Sequence, residues 1–233
     1  MKRILITGAS RGIGFEICTQ LMAVGHDVLA TYRSEKTAGS LLELNDRTKN
    51  LHAFQMDVNS SDSVKSAMSE ISKSFSSIDL VFNNAGILDW SPLAEVSPGA
   101  FRSIYETNVI GVFRVSEAVM PLLHKGHEPL IVNLSSRLGS IELRGNSQLG
   151  GAIAYQCSKA ALNMLTKQMS IDYAKYGVRT ISISPGWVKT DMGGEAAKYE
   201  VSESVELFLS RVNQLPPESN GIFMGEDGEI IPW

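Results

Sequence analysis

A chain of 233 residues, 43% of them hydrophobic, can bury one sizeable core and is short for two. Its net charge of −4 argues against a nucleic acid or an anionic membrane as partner, because both require a basic face. The two cysteines, Cys18 and Cys157, are too few for a disulfide framework and fit no metal spacing, so no bound metal is expected.

Lys2 and Arg3 precede only Ile4-Leu5-Ile6 before the chain turns polar, too short a run for a signal-peptide core. No apolar stretch elsewhere reaches membrane-spanning length, so a cytoplasmic protein is the expectation. Short apolar runs predict strands over 3–7, 27–32, 52–56, 80–83, 130–134, 179–184 and 222–224. Between them, apolar residues at helical spacing predict helices over 13–24, 36–45, 61–74, 99–124, 153–176 and 200–213. No linker, repeat or low-complexity tract divides the chain, which reads as a single domain over 1–233. Strands apolar on both faces, alternating with helices, specify an α/β fold with a doubly wound parallel sheet of about seven strands. Ligands of such sheets sit beyond the carboxyl ends of the strands, where chemistry-bearing residues are expected.

The first strand runs into Thr7-Gly8-Ala9-Ser10-Arg11-Gly12-Ile13-Gly14 and then a helix. Gly8 permits a sharp turn, Gly12 lets the backbone approach a pyrophosphate, and Gly14 lets the helix pack on the sheet. With Ser10, Arg11 and Ile13, these residues form a candidate dinucleotide loop at a helix N-terminus, whose dipole favours phosphate. The second strand ends Thr31-Tyr32-Arg33, without the acid that would hold an NAD ribose and repel a 2′-phosphate. Arg33 and Arg11 suit that phosphate, so NADP(H) is expected over NAD; the alternative is two solvated surface charges. Asp57-Val58 end the third strand, where adenine should lie, although Asp57 also reads as a helix-capping or loop acid. Asn84, Ala85 and Gly86 close the fourth, where Gly86 permits backbone against a cofactor.

Tyr155 and Lys159 stand four apart on a predicted helix and share a face. A free tyrosine titrates at about 10, too high for a good base at neutral pH. A neighbouring ammonium and a charged nicotinamide are expected to lower that value. The tyrosine can then exchange a proton with a carbonyl oxygen as hydride moves. Ser135 and Ser136 end the fifth strand, within reach of a substrate oxygen, and Asn108 is a polar residue where a helix would favour an apolar one. After the sixth strand, the turn of Pro185, Gly186, Val188 and Thr190 offers backbone and a hydroxyl to a carboxamide.

With these residues in view, the chain resembles the short-chain dehydrogenase/reductase family along its whole length. The matching stretches are TGASRGIG (7–14), NNAG (83–86), TNVIG (107–111), VNLSS (132–136), YQCSK (155–159) and SPGWVKTDM (184–192). SPGWVKTDMGG and the ending EIIPW resemble its C-factor and sniffer-type carbonyl reductase branch. The resemblance implies a Rossmann-type fold and NADPH-dependent reduction of a small carbonyl compound. Its catalytic tetrad falls on Asn108, Ser136, Tyr155 and Lys159. By that likeness Tyr155 is the general acid/base and Ser136 polarises the carbonyl, being the second serine of its pair. Lys159 holds the nicotinamide ribose and lowers the tyrosine pKa, while Asn108 holds a water that relays protons from Lys159.

One spacing departs from the family. Ser136 and Tyr155 are nineteen apart (155 − 136), more than is usual, and the extra residues fall in 142–151 with Gly145, Gly150 and Gly151. This loop is expected at the substrate mouth and to be more mobile than the sheet, with 87–92, 138–151 and 193–211 as pocket walls. It also bears on the helix packing through which many family members assemble as dimers or tetramers, so a homo-oligomer is expected. Two other readings stand beside a carbonyl reductase. One is an NAD-dependent alcohol dehydrogenase; the other is a dinucleotide-binding signalling protein with little turnover.

Overall fold

The computed structural model describes residues 1–146 and 150–233. Seven parallel strands form one sheet in the order β3-β2-β1-β4-β5-β6-β7. They are β1 (Arg3–Ile6), β2 (Asp27–Tyr32), β3 (Leu51–Gln55), β4 (Leu80–Asn83), β5 (Leu130–Leu134), β6 (Arg179–Ile183) and β7 (Phe223–Met224). The helices are α1 (Gly12–Ala23), α2 (Gly39–Arg47), α3 (Ser61–Ser74), α4 (Pro98–Tyr105), α5 (Gly111–Leu123), α6 (Ile153–Asp172) and α7 (Val201–Asn213).

The strands alternate their side chains between two apolar layers, as the two-residue period of a pleated strand requires. Ile4 and Ile6 of β1 join Phe82, Val132 and Ile183 beneath α1 and α7. Leu5 points the other way, joining Leu29, Val81 and Ile131 against Val64 of α3 and Val115 of α5. β4 and β5 are buried at every residue, which explains their unbroken apolar reading. The sheet grows in opposite directions from β1 and β4, so the crevice at their carboxyl ends is the topological switch point where ligands bind.

The expected elements all occur, and three of them differ from expectation by more than one residue. The helix expected over 36–45 begins at Gly39 and runs to Arg47, after a 3₁₀ turn at Glu35–Thr37. The one over 153–176 ends at Asp172; a 3₁₀ turn at Ala174–Tyr176 follows, closed by Gly177 at φ +72°. The long helix over 99–124 is in fact α4, a π-helical turn at Glu106–Ile110, and α5. Its cause is tertiary. Gly111 packs so tightly on Val58 that a Cβ there would lie 3.0 Å from Val58 Cγ2, while Asn108 turns inward to bind the backbone of Ile87.

Candidate active site

The glycine loop is built by contact between β1 and β4. The Thr7 hydroxyl accepts from the backbone N–H of Asn84 (3.0 Å) and Ala85 (3.1 Å). The Asn84 amide in turn donates to the carbonyls of Thr7 (2.9 Å) and Gly8 (3.0 Å). Gly8 stands at φ +66°, where an L side chain is strained, and its Cβ would lie 2.9 Å from Ala85 Cα. At Gly14 a Cβ would lie 2.3 Å from the Gly8 carbonyl oxygen, so only glycine lets α1 begin directly under the turn. Ser10, Arg11 and Gly12 are accessible above it, and Ile13 packs its side chain against the core.

Opposite this loop lies the turn after β6. Gly186 takes φ +80°, with a Cβ position 2.9 Å from the Tyr199 ring. The Pro185 carbonyl accepts from Ser204 Oγ (2.6 Å), and buried Val188 bridges to Tyr199. The two loops face each other, with 3.7 Å between the Cβ position of Gly12 and Thr190 Cγ2. Arg11 reaches across to Asp191 at 2.5 Å, so the structure gives its guanidinium a protein partner that the sequence did not suggest. Arg33 is exposed and forms no ion pair among the described residues. Asp57 accepts from the Asn59 N–H (3.0 Å), the loop-capping alternative, while the Val58 carbonyl is held by Arg114. Gly86 lies against Asn108, its Cβ position 3.3 Å from Oδ1.

Tyr155, Lys159 and Ser136 come together at the end of β5. The Lys159 Nζ lies 5.5 Å from the centre of the Tyr155 ring and donates to the Leu134 carbonyl at 2.6 Å. Ser136 is partly exposed, and its hydroxyl acts on the Tyr155 phenol through a hydrogen bond that favours the phenolate. Ser135 is buried, and its hydroxyl donates to Asn163 Oδ1 at 2.7 Å. Asn108 accepts from the Ile87 N–H (2.9 Å) and donates to the Ile87 carbonyl and Ser158 Oγ (3.0 Å each). Ser158 donates to the Tyr155 carbonyl (2.7 Å), joining Asn108 to the helix of the tyrosine.

Among the protein's own groups, burial pushes the Tyr155 phenol up to about 12, outweighing the Ser136 hydrogen bond. Burial also lowers the Lys159 ammonium to about 8. Both shifts have one physical origin, since each favours the uncharged form of its group. Among protein groups, then, the tyrosine is a neutral acid at pH 7.

The chain before α6 is tied at Ile141 and Glu142 and again at Ala152. The N–H groups of Ile141 (3.0 Å) and Glu142 (3.2 Å) donate to the Trp233 carbonyl, and Ala152 N–H donates to the Trp90 carbonyl (3.1 Å). Trp90 of the expected wall 87–92 thus lies against Gly151, at the end of the expected wall 138–151, where α6 begins; Ser147, Gln148 and Leu149 lie outside the described residues. Thr7 and Ser158 escaped sequence reasoning. Ser158 had one available signal, a small polar residue on the face that the Tyr155–Lys159 spacing turns inward. No three His, Cys, Asp or Glu side chains gather as a metal site among the described residues, and no described helix is long and apolar enough to cross a membrane.

Comparison with known proteins places this geometry in a family. The short chain dehydrogenase family profile matches residues 2–200. The NADPH-bound carbonyl reductase from chicken fatty liver superposes with a TM-score of 0.95 at 34% identity, covering 100% of this chain and 99% of that one. The carbonyl reductase Sniffer of D. melanogaster gives 0.93 at 31% identity, with 100% of each chain covered. The C-signal protein of Myxococcus xanthus is 38% identical over 157 residues, spanning 67% of this chain and 93% of that protein. With a match across most of its length and the same seven-stranded sheet, the chain belongs to the short-chain dehydrogenase/reductase family of oxidoreductases, in its carbonyl reductase branch.

Proposed function

We propose that this protein reduces the carbonyl group of a small aldehyde or ketone with NADPH. One observation carries the reading: a neutral phenol, an ammonium and a hydroxyl converge at the carboxyl end of β5, beside a cradle that only glycine can form. The cradle fits a dinucleotide, because Gly8 and Gly14 leave no room for side chains where α1 presents its N-terminus. Gly8, Ser10, Arg11, Gly12, Ile13 and Gly14 would hold the pyrophosphate, with Asn84, Ala85, Gly86, Asp57 and Val58 toward the adenosine half. Pro185, Gly186, Val188 and Thr190 would hold the carboxamide, and Arg33 the 2′-phosphate. When bound, the nicotinamide supplies hydride chemistry at this site.

The chain's own residues perform the proton work. Ser136 donates a hydrogen bond to the carbonyl oxygen and offsets the negative charge growing there. Tyr155, protonated at neutral pH, gives that oxygen its proton as general acid. Lys159 keeps a positive charge beside the phenol and stabilises the phenolate that remains. Asn108 holds the loop after β4 through both backbone groups of Ile87, reaches α6 through Ser158, and would hold the water that relays protons from Lys159. The accessible Arg33, with no acid before Glu35, supports NADPH over NADH, and the chicken enzyme of the same branch holds NADPH. A cytoplasmic location and self-association belong to the same reading, the latter supported by Phe113 and Met164 exposed on α5 and α6.

Tyr155→Phe tests it. The ring still packs, so the fold and NADPH affinity should persist, while reduction across a panel of aldehydes, ketones, diketones and quinones falls by about 10²–10⁴. Parental turnover in that variant removes the assignment. NADPH binding by the parent without turnover of any panel member favours the signalling reading instead.

A further inference from the structure

We propose that Asn163 is a positioning residue for Ser136, its side-chain amide holding both ends of the Ser136 turn to the helix that carries Tyr155 and Lys159. The inference rests on the role given to Ser136 above. Tyr155, Lys159 and Asn163 recur at four-residue spacing on α6, so all three stand on the face turned toward β5. Asparagine is a weak helix former, and a buried amide is costly unless its groups are paired. At 3% exposure, Asn163 pairs both. Its Oδ1 accepts from Ser135 Oγ at 2.7 Å, and its Nδ2 donates to the Gly139 carbonyl at 3.4 Å.

Only Ser136, Arg137 and Leu138 lie between these two anchors. The turn they form is closed on itself, the Gly139 N–H donating to the Ser136 carbonyl (2.8 Å) and the Leu138 N–H to Ser136 Oγ (3.1 Å). It is also pressed on the helix, since a Cβ at Gly139 would lie 2.7 Å from the Lys159 carbonyl carbon. Besides Asn163, the polar side-chain contact holding the turn's backbone is Ser184 Oγ, which accepts from the Arg137 N–H at 3.3 Å. The amide is buried away from solvent and acts through the serine, not on a substrate. A displacement of about 1 Å in such a group can cost on the order of a hundredfold in rate.

A four-protein comparison tests this: parent, Asn163→Leu, Ser136→Ala and the double variant. NADPH affinity is read by titration, and the chemical step by single-turnover reduction of one panel carbonyl at saturating NADPH. Asn163→Leu should lower the single-turnover rate by about ten- to a hundredfold and leave NADPH affinity within about twofold. In the Ser136→Ala background the same change should cost no further rate, because the group it positions is gone. A merely structural amide would lower thermal stability in both backgrounds without this dependence of rate. If the two losses multiply, Asn163 does not act through Ser136 and the inference is overturned, with Ser136 keeping its role. If Ser136→Ala turns over at the parental rate, the role of Ser136 falls and the inference falls with it. Should Asn163→Leu fail to fold, Ser135→Ala removes only one of the two ties. It should cost about two- to fivefold in rate, again only when Ser136 is present; a loss that persists without Ser136 overturns the inference.

Discussion

Replacing Lys159 by methionine should make the cofactor-free protein more stable while disabling it. Burial lowers this ammonium from 10.5 to about 8, so in the folded chain its charge is held against its preference. The difference of 2.5 units, at about 1.36 kcal/mol each, amounts to roughly 3 kcal/mol of destabilisation. The sign follows from proton counts. Between pH 8 and 10.5 the unfolded chain holds a proton the folded chain has released, so stability rises with pH across that window. Below pH 8 the penalty is complete. Methionine has similar helix propensity and no charge to desolvate, but it loses the hydrogen bond to the Leu134 carbonyl, worth about 1 kcal/mol. The net gain at pH 7 is therefore about 2 kcal/mol, shrinking to nothing or reversing near pH 10.5. Tyr155, raised to about 12, acts in the opposite direction only above pH 10 and is common to both proteins. Urea unfolding of parent and variant at pH 7, 8.5 and 9.5, without dinucleotide, measures the difference. A variant less stable than the parent at pH 7, or a difference that ignores pH, would refute the argument.

Other outcomes follow from the same geometry. Arg33→Ala should weaken NADPH binding about tenfold or more while leaving NADH nearly unchanged, as titration with each cofactor will read; equal losses remove the 2′-phosphate assignment. Gly14→Ala should destabilise by about 1–3 kcal/mol, because the new Cβ meets the Gly8 carbonyl and the Asn84 amide. It should also weaken NADPH binding, and normal thermal unfolding together with normal affinity would contradict the close packing. The NADPH dependence of carbonyl reduction should weaken with rising salt in the parent and less so in Arg33→Ala, since an exposed arginine's attraction to phosphate is screened.

The strands were legible because their evidence is local: apolar runs such as Leu80–Asn83 and Leu130–Leu134 are buried on both faces and read so in the chain. The Tyr155–Lys159 pair was legible for the same reason, being one helical turn apart. What escaped depends on partners far along the chain. Thr7 meets the turn after β4 across 77 and 78 positions, Ser158 meets Asn108 across 50, and Arg11 meets Asp191 across 180. The break in the helix over 99–124 comes from Val58 and Ile87, neither on that helix. The burial that raises the Tyr155 pKa was not legible, because spacing shows the neighbouring lysine and not the packing around the phenol.

The π-helical turn at Glu106–Ile110 winds one residue more into its turn than the α-helices on either side. Deleting one residue there would let α4 and α5 merge into a single regular helix with both flanks keeping their facing, because the lost residue is the one the wider turn absorbs. The change would fall on the turn itself, where Asn108 would leave the backbone of Ile87 while Val112, Val115 and Val119 kept their buried places. The segment around Asn108 is therefore free to change in identity before it is free to change in number.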